Sequence, residues 1–403
     1  MLLRHYVLPV LLALALYIFC VRKECKLDAG AMRDLAIAYR ARTDAGRGQV
    51  DSRAPLLGIV SVVTGATSGI GKELAQELYR LGATVVVAGR TESKISDTMA
   101  EIKRVVNDSA GSLQSGLIDT SDLASVKRFA SALGSRHRGG IDFLINNAGI
   151  HYASLAAPAD EDRQRFFSSP QGYDLAFATN YLGHFLLTKL LLPLLKKRSH
   201  AKIINVSSTF HMQADGVMLM PPSGGGMPLA ARDDIGTFSH RRRSYSNNKL
   251  AQVLHAKELQ RRLDKEGGSP PEGRVKAFSM CPLWVSTNIL GSSAGAYFVR
   301  LFAFTTNAVM VTPLTALLST DLQGGEYVTA GGVWLAAQSW SGHIFKGSAA
   351  VGLRDVLCEA FAVYILVVQS LSYGFTVQRS SPESFDEQLA RELFDWSDRA
   401  VSS

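Results

Sequence analysis

Cysteine is scarce in this chain: Cys20, Cys25, Cys281 and Cys358 are the four among 403 residues. None falls at paired metal-ligand spacing. Four scattered thiols exclude a disulfide framework and suit a reducing compartment. Charge is also thin, with 19% charged residues against 47% hydrophobic ones. That balance excludes a mainly disordered chain. The net charge is +8, yet there is no Lys/Arg-rich segment interleaved with aromatics, so the excess does not point to nucleic acid. An anionic membrane surface or a phosphorylated cofactor fits the excess better.

Long apolar runs are wanting too. Tyr6–Val21 (YVLPVLLALALYIFCV) and Ala360–Val368 (AFAVYILVV) both fall short of the ~20 residues of a comfortable spanning helix. The first is led by Arg4 and followed by Arg22, Lys23 and Lys26. A signal peptide has a similar apolar length, but no small-x-small cleavage site follows. An uncleaved signal anchor over residues 1–26 is the expectation, with the basic flank holding the remainder on the cytosolic side. Cys20 and Cys25 sit at its boundary, as acylation sites or as plain thiols. The second run reads as a buried element, or as one that dips into a membrane.

Between these runs the chain alternates. Residues 27–57 read as a helical linker and loop. Gly58–Val63 is a β-branched run ending in Thr-Gly, which predicts a buried strand. Helices are predicted over 72–81, 94–106, 123–133, 177–195 and 246–263, and strands over 84–88, 115–118, 141–145, 201–206 and 274–279. Residues 211–240, with PPSGGGMP, read as a long loop, and Phe385–Trp396 as a helix. The expected fold is therefore α/β: a Rossmann-type doubly wound parallel sheet in a single domain, with an N-terminal membrane anchor and a C-terminal insertion. Its expected limits are 58–324 for the nucleotide-binding catalytic domain, 325–378 for the insertion and 379–403 for a C-terminal helical segment.

Thr64–Gly71 (TGATSGIG) lies between the first predicted strand and helix. Gly65, Gly69 and Gly71 allow a tight turn, a close backbone approach to a pyrophosphate and close helix–strand packing. Thr67, Ser68 and Ile70 lie in the same turn, where the helix start offers free N–H groups. The second strand ends Ala88-Gly89-Arg90. An acidic residue that would hold a ribose 2′-hydroxyl is missing there. Arg90 suits a 2′-phosphate, which favours NADP(H); the alternative is a solvated loop arginine. Farther on, Tyr245 stands four residues before Lys249. Taken alone, the two are either a catalytic pair or unrelated surface side chains.

TGATSGIG, Asp119, NNAG at 146–149, Asn180, Ser207-Ser208 and Tyr245-x-x-x-Lys249 occur in the order and rough spacing of the short-chain dehydrogenase/reductase family. The chain resembles its retinol dehydrogenase branch, which is also similar to protochlorophyllide reductases, over roughly residues 58–290. The stretches that carry the likeness are LINNAGI, TNYLGHFLLTKLLLPLL, IINVSS and NNKLAQVLHAKEL. The resemblance implies a catalytic tetrad of Asn180, Ser208, Tyr245 and Lys249. Tyr245 would exchange its phenolic proton with the substrate oxygen. Lys249, one helical turn on, would lower the phenol pKa and reach the nicotinamide ribose. Ser208 would bond the carbonyl oxygen where charge develops. Asn180 would hold a water relaying protons to Lys249. The resemblance further places Asp119 at the adenine, Asn147, Ala148 and Gly149 along the adenosine, and Thr287 at the nicotinamide amide. It implies no metal.

Two residues depart from the family pattern: Leu283 replaces the glycine after Pro282, and Asn248 replaces a small hydroxyl residue before the lysine. His184 and His211 read as packing or loop residues. Arg241–Arg243 read as a solvated triplet or as a contact for anionic headgroups. Trp284, Phe298, Phe302 and Phe304 read as core or as the wall of an apolar substrate pocket. The expected activity is NADPH-dependent reduction of a retinoid-, steroid- or lipid-aldehyde-like carbonyl. The expected setting is an endoplasmic reticulum membrane with the catalytic domain in the cytosol, another organelle or a lipid-droplet surface being alternatives. A homodimer is compatible with the family. The alternatives in function are a catalytically silent cofactor-sensing scaffold and an NAD-dependent alcohol dehydrogenase.

Overall fold

The computed structural model describes residues 29–43, 50–152, 167–214, 238–266, 275–282, 285, 289, 305–329 and 386–402. The expected anchor at 1–26, Thr287, Leu283, Trp284, Phe298, Phe302, Phe304 and the run Ala360–Val368 lie outside them.

In chain order the elements are α1 (Ala29–Thr43), β1 (Val60–Thr64), α2 (Gly69–Arg80), β2 (Thr84–Gly89), α3 (Glu92–Val105), β3 (Ser112–Leu117), α4 (Leu123–Arg136) and β4 (Phe143–Asn146). There follow α5 (Leu175–Leu195), β5 (Lys202–Val206), α6 (Phe238–Glu266), β6 (Lys276–Cys281), α7 (Val311–Leu318), β7 (Tyr327–Thr329) and α8 (Glu387–Ser402). Among the described residues seven strands lie in the order β3-β2-β1-β4-β5-β6-β7, and every pairing between them is parallel. The strand order reverses between β1 and β4. Ligands of such sheets bind there, beyond the carboxyl ends of the strands.

Apolar side chains on alternate strand positions feed two cores. On one face Val62, Val86, Leu144 and Ile203 meet α4, α5, α6 and α8. On the other Val63, Val85, Val87, Phe143, Ile145 and Phe278 meet α1, α2, α3 and α7. Each fully buried side chain of this size contributes roughly 1.5–3 kcal/mol. Because both faces are covered, the inner strands are mostly apolar, as β1 and β2 read in sequence, whereas the edge strand β3 (SLQSGL) is largely polar and exposed.

Several elements differ from expectation. Helix α1 is not a free tether: Met32, Ala36 and Tyr39 are buried in the second core, and Arg42 pairs with Asp321 at 3.0 Å. Helix α6 begins at Phe238, eight residues earlier than its apolar periodicity suggests, and takes in the end of the expected loop. The sheet continues past residue 324 through β7, where Ser279 pairs with Tyr327. Helix α5 is long and apolar enough to cross a membrane, but it is 78% buried inside this fold and forms its central core helix.

Candidate active site

The glycine turn sits at the switch point. Gly65 has φ +65°, and a Cβ there would lie 2.8 Å from the Cα of Ala148. A Cβ on Gly71 would lie 2.4 Å from Asn147 Nδ2. Both contacts are too close for any side chain. Thr64 explains the close approach: its Oγ1 accepts from the backbone N–H groups of Asn147 (2.9 Å) and Ala148 (3.0 Å). Asn147 Nδ2 donates back to Thr64 O at 2.8 Å. Asn147 thus staples the NNAG loop to the glycine turn. Ser68 occupies the N-cap of α2 without a side-chain cap bond. The first N–H groups of α2 therefore face the turn without a side-chain acceptor from Ser68, as a phosphate cradle requires. Thr67 and Ile70 are in this turn, and Arg90 is exposed at the carboxyl end of β2. Asp119 follows β3, its Oδ1 accepting from Ser121 N (2.9 Å) and Ser121 Oγ (2.7 Å).

Beside this cradle the ends of β5 and α6 bring together Ser208, Tyr245 and Lys249. Ser207 Oγ donates to Lys249 O at 2.7 Å and locks α6 onto the end of β5. Tyr245 is half-buried, wedged between the rings of His151 (4.7 Å) and Phe210 (5.8 Å), and its hydroxyl is hydrogen-bonded to the Ser208 side chain. Both Tyr245 and Lys249 lie well inside α6, so the i, i+4 spacing places them on one face. Lys249 Nζ stands 5.5 Å from the centre of the Tyr245 ring.

The electrostatics differ from the expected ones. Removal from water pushes the Tyr245 phenol above its ordinary range; the neighbouring Cys281 thiol adds to this, and the Ser208 bond opposes it. Burial pushes the Lys249 ammonium down to about 8, with Cys281 opposing. The Lys249 ammonium is held by two oxygens other than the phenol's. Nζ donates to Val206 O at 2.7 Å and to Gln252 Oε1 at 3.1 Å.

Asn180 lies in a π-helical stretch, Ala178–Leu182, inside α5. Such single-turn stretches recur at functional sites. Its side chain clamps the backbone of Ile150, accepting from the N–H at 2.8 Å and donating to the carbonyl at 3.0 Å. Its own carbonyl accepts from Gln252 Nε2 at 2.7 Å and from His184 Nδ1 at 3.1 Å. That bond fixes the His184 tautomer, leaving Nε2 to accept from Thr64 Oγ1 at 2.9 Å. His184 therefore joins the lysine end of the site to the glycine turn, a role its sequence position did not suggest.

Sequence reading also passed over Asp174. Its carboxylate caps α5 through Phe177 N (2.8 Å) and accepts from Tyr152 OH (2.5 Å) and from Ser244 Oγ (3.4 Å), the neighbour of Tyr245. Full burial raises its pKa to about 6. Asn248, buried beside Lys249, has an Nδ2 without a hydrogen-bond partner. The side chains of Arg241–Arg243 lie outside the described residues.

A glycine turn at the switch point of a doubly wound parallel sheet, with a phenol and a buried ammonium beside it, is the arrangement of a Rossmann-type oxidoreductase. The short chain dehydrogenase family model matches residues 59–218. Retinol dehydrogenase 11 of Homo sapiens is 30% identical over 328 residues, which are 79% of this chain and 90% of that protein. The chain therefore belongs to the short-chain dehydrogenase family, in its retinol dehydrogenase-like branch, and that family binds a nicotinamide cofactor. Retinol dehydrogenase 13 of Homo sapiens is 32% identical over 224 residues, and the alignment spans 59% of that protein's length and 55% of this chain. A crystal structure of an uncharacterized protein from Mycobacterium paratuberculosis superposes with a TM-score of 0.52 at 26% identity, covering 86% of this chain and 95% of that one.

Proposed function

We propose that the protein is an NADP(H)-dependent carbonyl reductase acting on a lipophilic aldehyde or ketone. The observation that carries this reading is the Tyr245 hydroxyl, bonded to Ser208 and standing above Lys249 beside the glycine turn. Gly65, Gly69, Gly71 and the start of α2 would hold the pyrophosphate, and Arg90 the 2′-phosphate. The bound dinucleotide supplies a hydride at nicotinamide C4. Ser208 Oγ orients the substrate oxygen, and Tyr245 delivers its phenolic proton to that oxygen as the carbonyl carbon is reduced. The ammonium of Lys249 stabilises the phenolate left behind. The relatives named retinol dehydrogenase support a long apolar substrate, as does the apolar run at 6–21, which would anchor the chain in an endoplasmic reticulum membrane with the catalytic domain in the cytosol.

The test is turnover of the purified full chain with NADPH and with NADH on polyene, steroid and long-chain lipid carbonyls. Tyr245→Phe is expected to lose roughly 100- to 10,000-fold while still binding the dinucleotide. Arg90→Asp should move the preference toward NADH by at least about tenfold. A wild-type enzyme silent on the whole panel overturns the reading, and a preference unmoved by Arg90→Asp overturns the NADP(H) assignment.

A further inference from the structure

The resemblance gives Asn180 a proton-relay water, and the fold brings two side chains to its backbone carbonyl. Gln252 Nε2 donates to that oxygen at 2.7 Å and His184 Nδ1 at 3.1 Å. Two side-chain donors from two different helices thus converge on one backbone oxygen. The other end of the same amide, Gln252 Oε1, accepts from Lys249 Nζ at 3.1 Å. Gln252 is 1% exposed and lies one turn beyond Lys249 on α6, the face turned toward α5. Its own backbone oxygen is held by Asn205 Nδ2 at 3.1 Å, so the residue is fixed from both sides.

We propose that Gln252 is a positioning residue for the reaction assigned above: a rigid amide strut that ties Lys249 Nζ to the Asn180 carbonyl and takes the place of a relay water. The proposal rests on that functional reading for its catalytic consequence, but not for its structural one. A primary amide donates at nitrogen and accepts at oxygen. Passing a proton through it would require the imidic acid tautomer, which a water does not need. The strut therefore fixes the ammonium and does not conduct. With Val206 O and Gln252 Oε1 taking two of its three N–H groups, the ammonium has one left, and this one is free to turn toward the phenol or a cofactor hydroxyl.

The groups facing Lys249 Nζ are Tyr245 on its own helix, Cys281 from β6 and His184 from α5. Cys281 raises the lysine and is unchanged in both variants, so an amide-to-carboxylate change at 252 is read against constant surroundings. Two variants of the full chain decide the matter. Gln252→Glu is isosteric and adds a carboxylate beside the ammonium. Gln252→Leu removes the acceptor. The first readout is the titration of Lys249 followed by NMR of 13C-labelled lysine in the substrate-free protein, with Lys249→Arg identifying the signal. The midpoint is expected to rise in Gln252→Glu and to fall in Gln252→Leu, each by about a pH unit. The second readout is the alkaline limb of kcat/KM, which should move in the same two directions, with kcat falling roughly tenfold in Gln252→Leu. Unmoved lysine midpoints in both variants overturn the proposal. So does an equal loss of kcat in both with the limb in place, which marks a purely structural residue. A protein that reduces no carbonyl but shows the opposed midpoint shifts refutes the assigned reaction and retains the strut.

Discussion

Strand β5 has a buried lysine at each end, and the two are matched in most respects. Lys202 is 4% exposed and Lys249, whose ammonium reaches the far end of the strand, is 3% exposed. Each Nζ donates to two oxygens: Lys202 to Ala316 O (3.2 Å) and Ser319 O, Lys249 to Val206 O and Gln252 Oε1. Burial lowers both pKa values, to about 7 and about 8. What differs is the company. Lys202 is sealed by the rings of Tyr39 (5.5 Å) and Phe278 (5.7 Å), and it ties down the end of α7. Lys249 faces a half-buried phenol next to the glycine turn. A perturbed lysine is thus a sign of burial; it becomes a sign of chemistry only with an acid partner and a route to substrate.

The comparison breaks most visibly on methionine substitution. Lys249→Met is expected to cut turnover by at least about 100-fold, whereas Lys202→Met leaves turnover per folded molecule within about twofold. Both should change stability in the same pH window. The folded values of about 7 and about 8 lie below the ~10.4 of a free lysine. The unfolded chain therefore holds protons that the folded one lacks. Stability is full above about pH 10 and declines as pH drops toward 8, by up to ~1.4 kcal/mol per pH unit for each lysine. Urea midpoints at pH 8, 9 and 10 should show one lysine's share of that slope missing in each variant. An equal loss of turnover in Lys202→Met would end the distinction.

A smaller effect separates the site end from the rest of the core on the acid side. His184 and His255 are buried and neutral, with burial lowering their pKa values to about 4 and about 3. Unfolded imidazoles charge below ~6.5, so acidification to pH 5 costs on the order of 2 kcal/mol for each. Asp174, raised to about 6, works in the opposite sense and by pH 5 offsets about 1.4 kcal/mol. Urea unfolding at pH 7 and pH 5 should show a net loss of ~2–3 kcal/mol, and His255→Phe, among Tyr181, Phe185 and Phe394, should reduce it by ~2 kcal/mol. A variant as acid-sensitive as wild type would show that His255 is not the source. The smallest effect is at Asn248: giving its unpartnered Nδ2 up in Asn248→Ser should stabilise the fold by about 1 kcal/mol. A lowered melting temperature would mean that the amide is satisfied in the folded protein.

The parts legible in the sequence are those whose logic is local. A β-branched run, a glycine turn and a helical period identify β1, α2 and β2 because each is a short-range pattern, and the parallel order follows from their alternation. Tyr245 and Lys249 are four apart on one helix, so their spacing already implies a shared face. The bridge through Gln252 could not be read, since its partner oxygen is 72 residues away and is a backbone atom that any residue would carry. The π-helical turn at Ala178–Leu182 shifts the register of α5 with no change in its apolar composition. Strand β7 is three residues long, beneath the length at which a pattern forms. The docking of α1 rests on Met32, Ala36 and Tyr39, with Leu35 alongside, in a helix whose apolar residues are interrupted by Arg33, Asp34, Arg40 and Arg42.

Helix α8 covers the groove between α5 and α6. Phe394 stacks edge-on against Phe185 (4.8 Å) and lies beneath the guanidinium of Arg262 (4.0 Å), Tyr181 OH meets Ser397 Oγ (2.9 Å), and Arg262 pairs with Asp395 (2.7 Å). Translation adds timing to this contact. At roughly 5–20 residues per second, α8 leaves the ribosome on the order of ten seconds after the end of α6. During that interval β6 and β7 join the strands already made, while Phe185, Leu259 and Leu263 remain uncovered. A nascent chain stalled before residue 387 would present this apolar groove to chaperones, and release of α8 would end their hold.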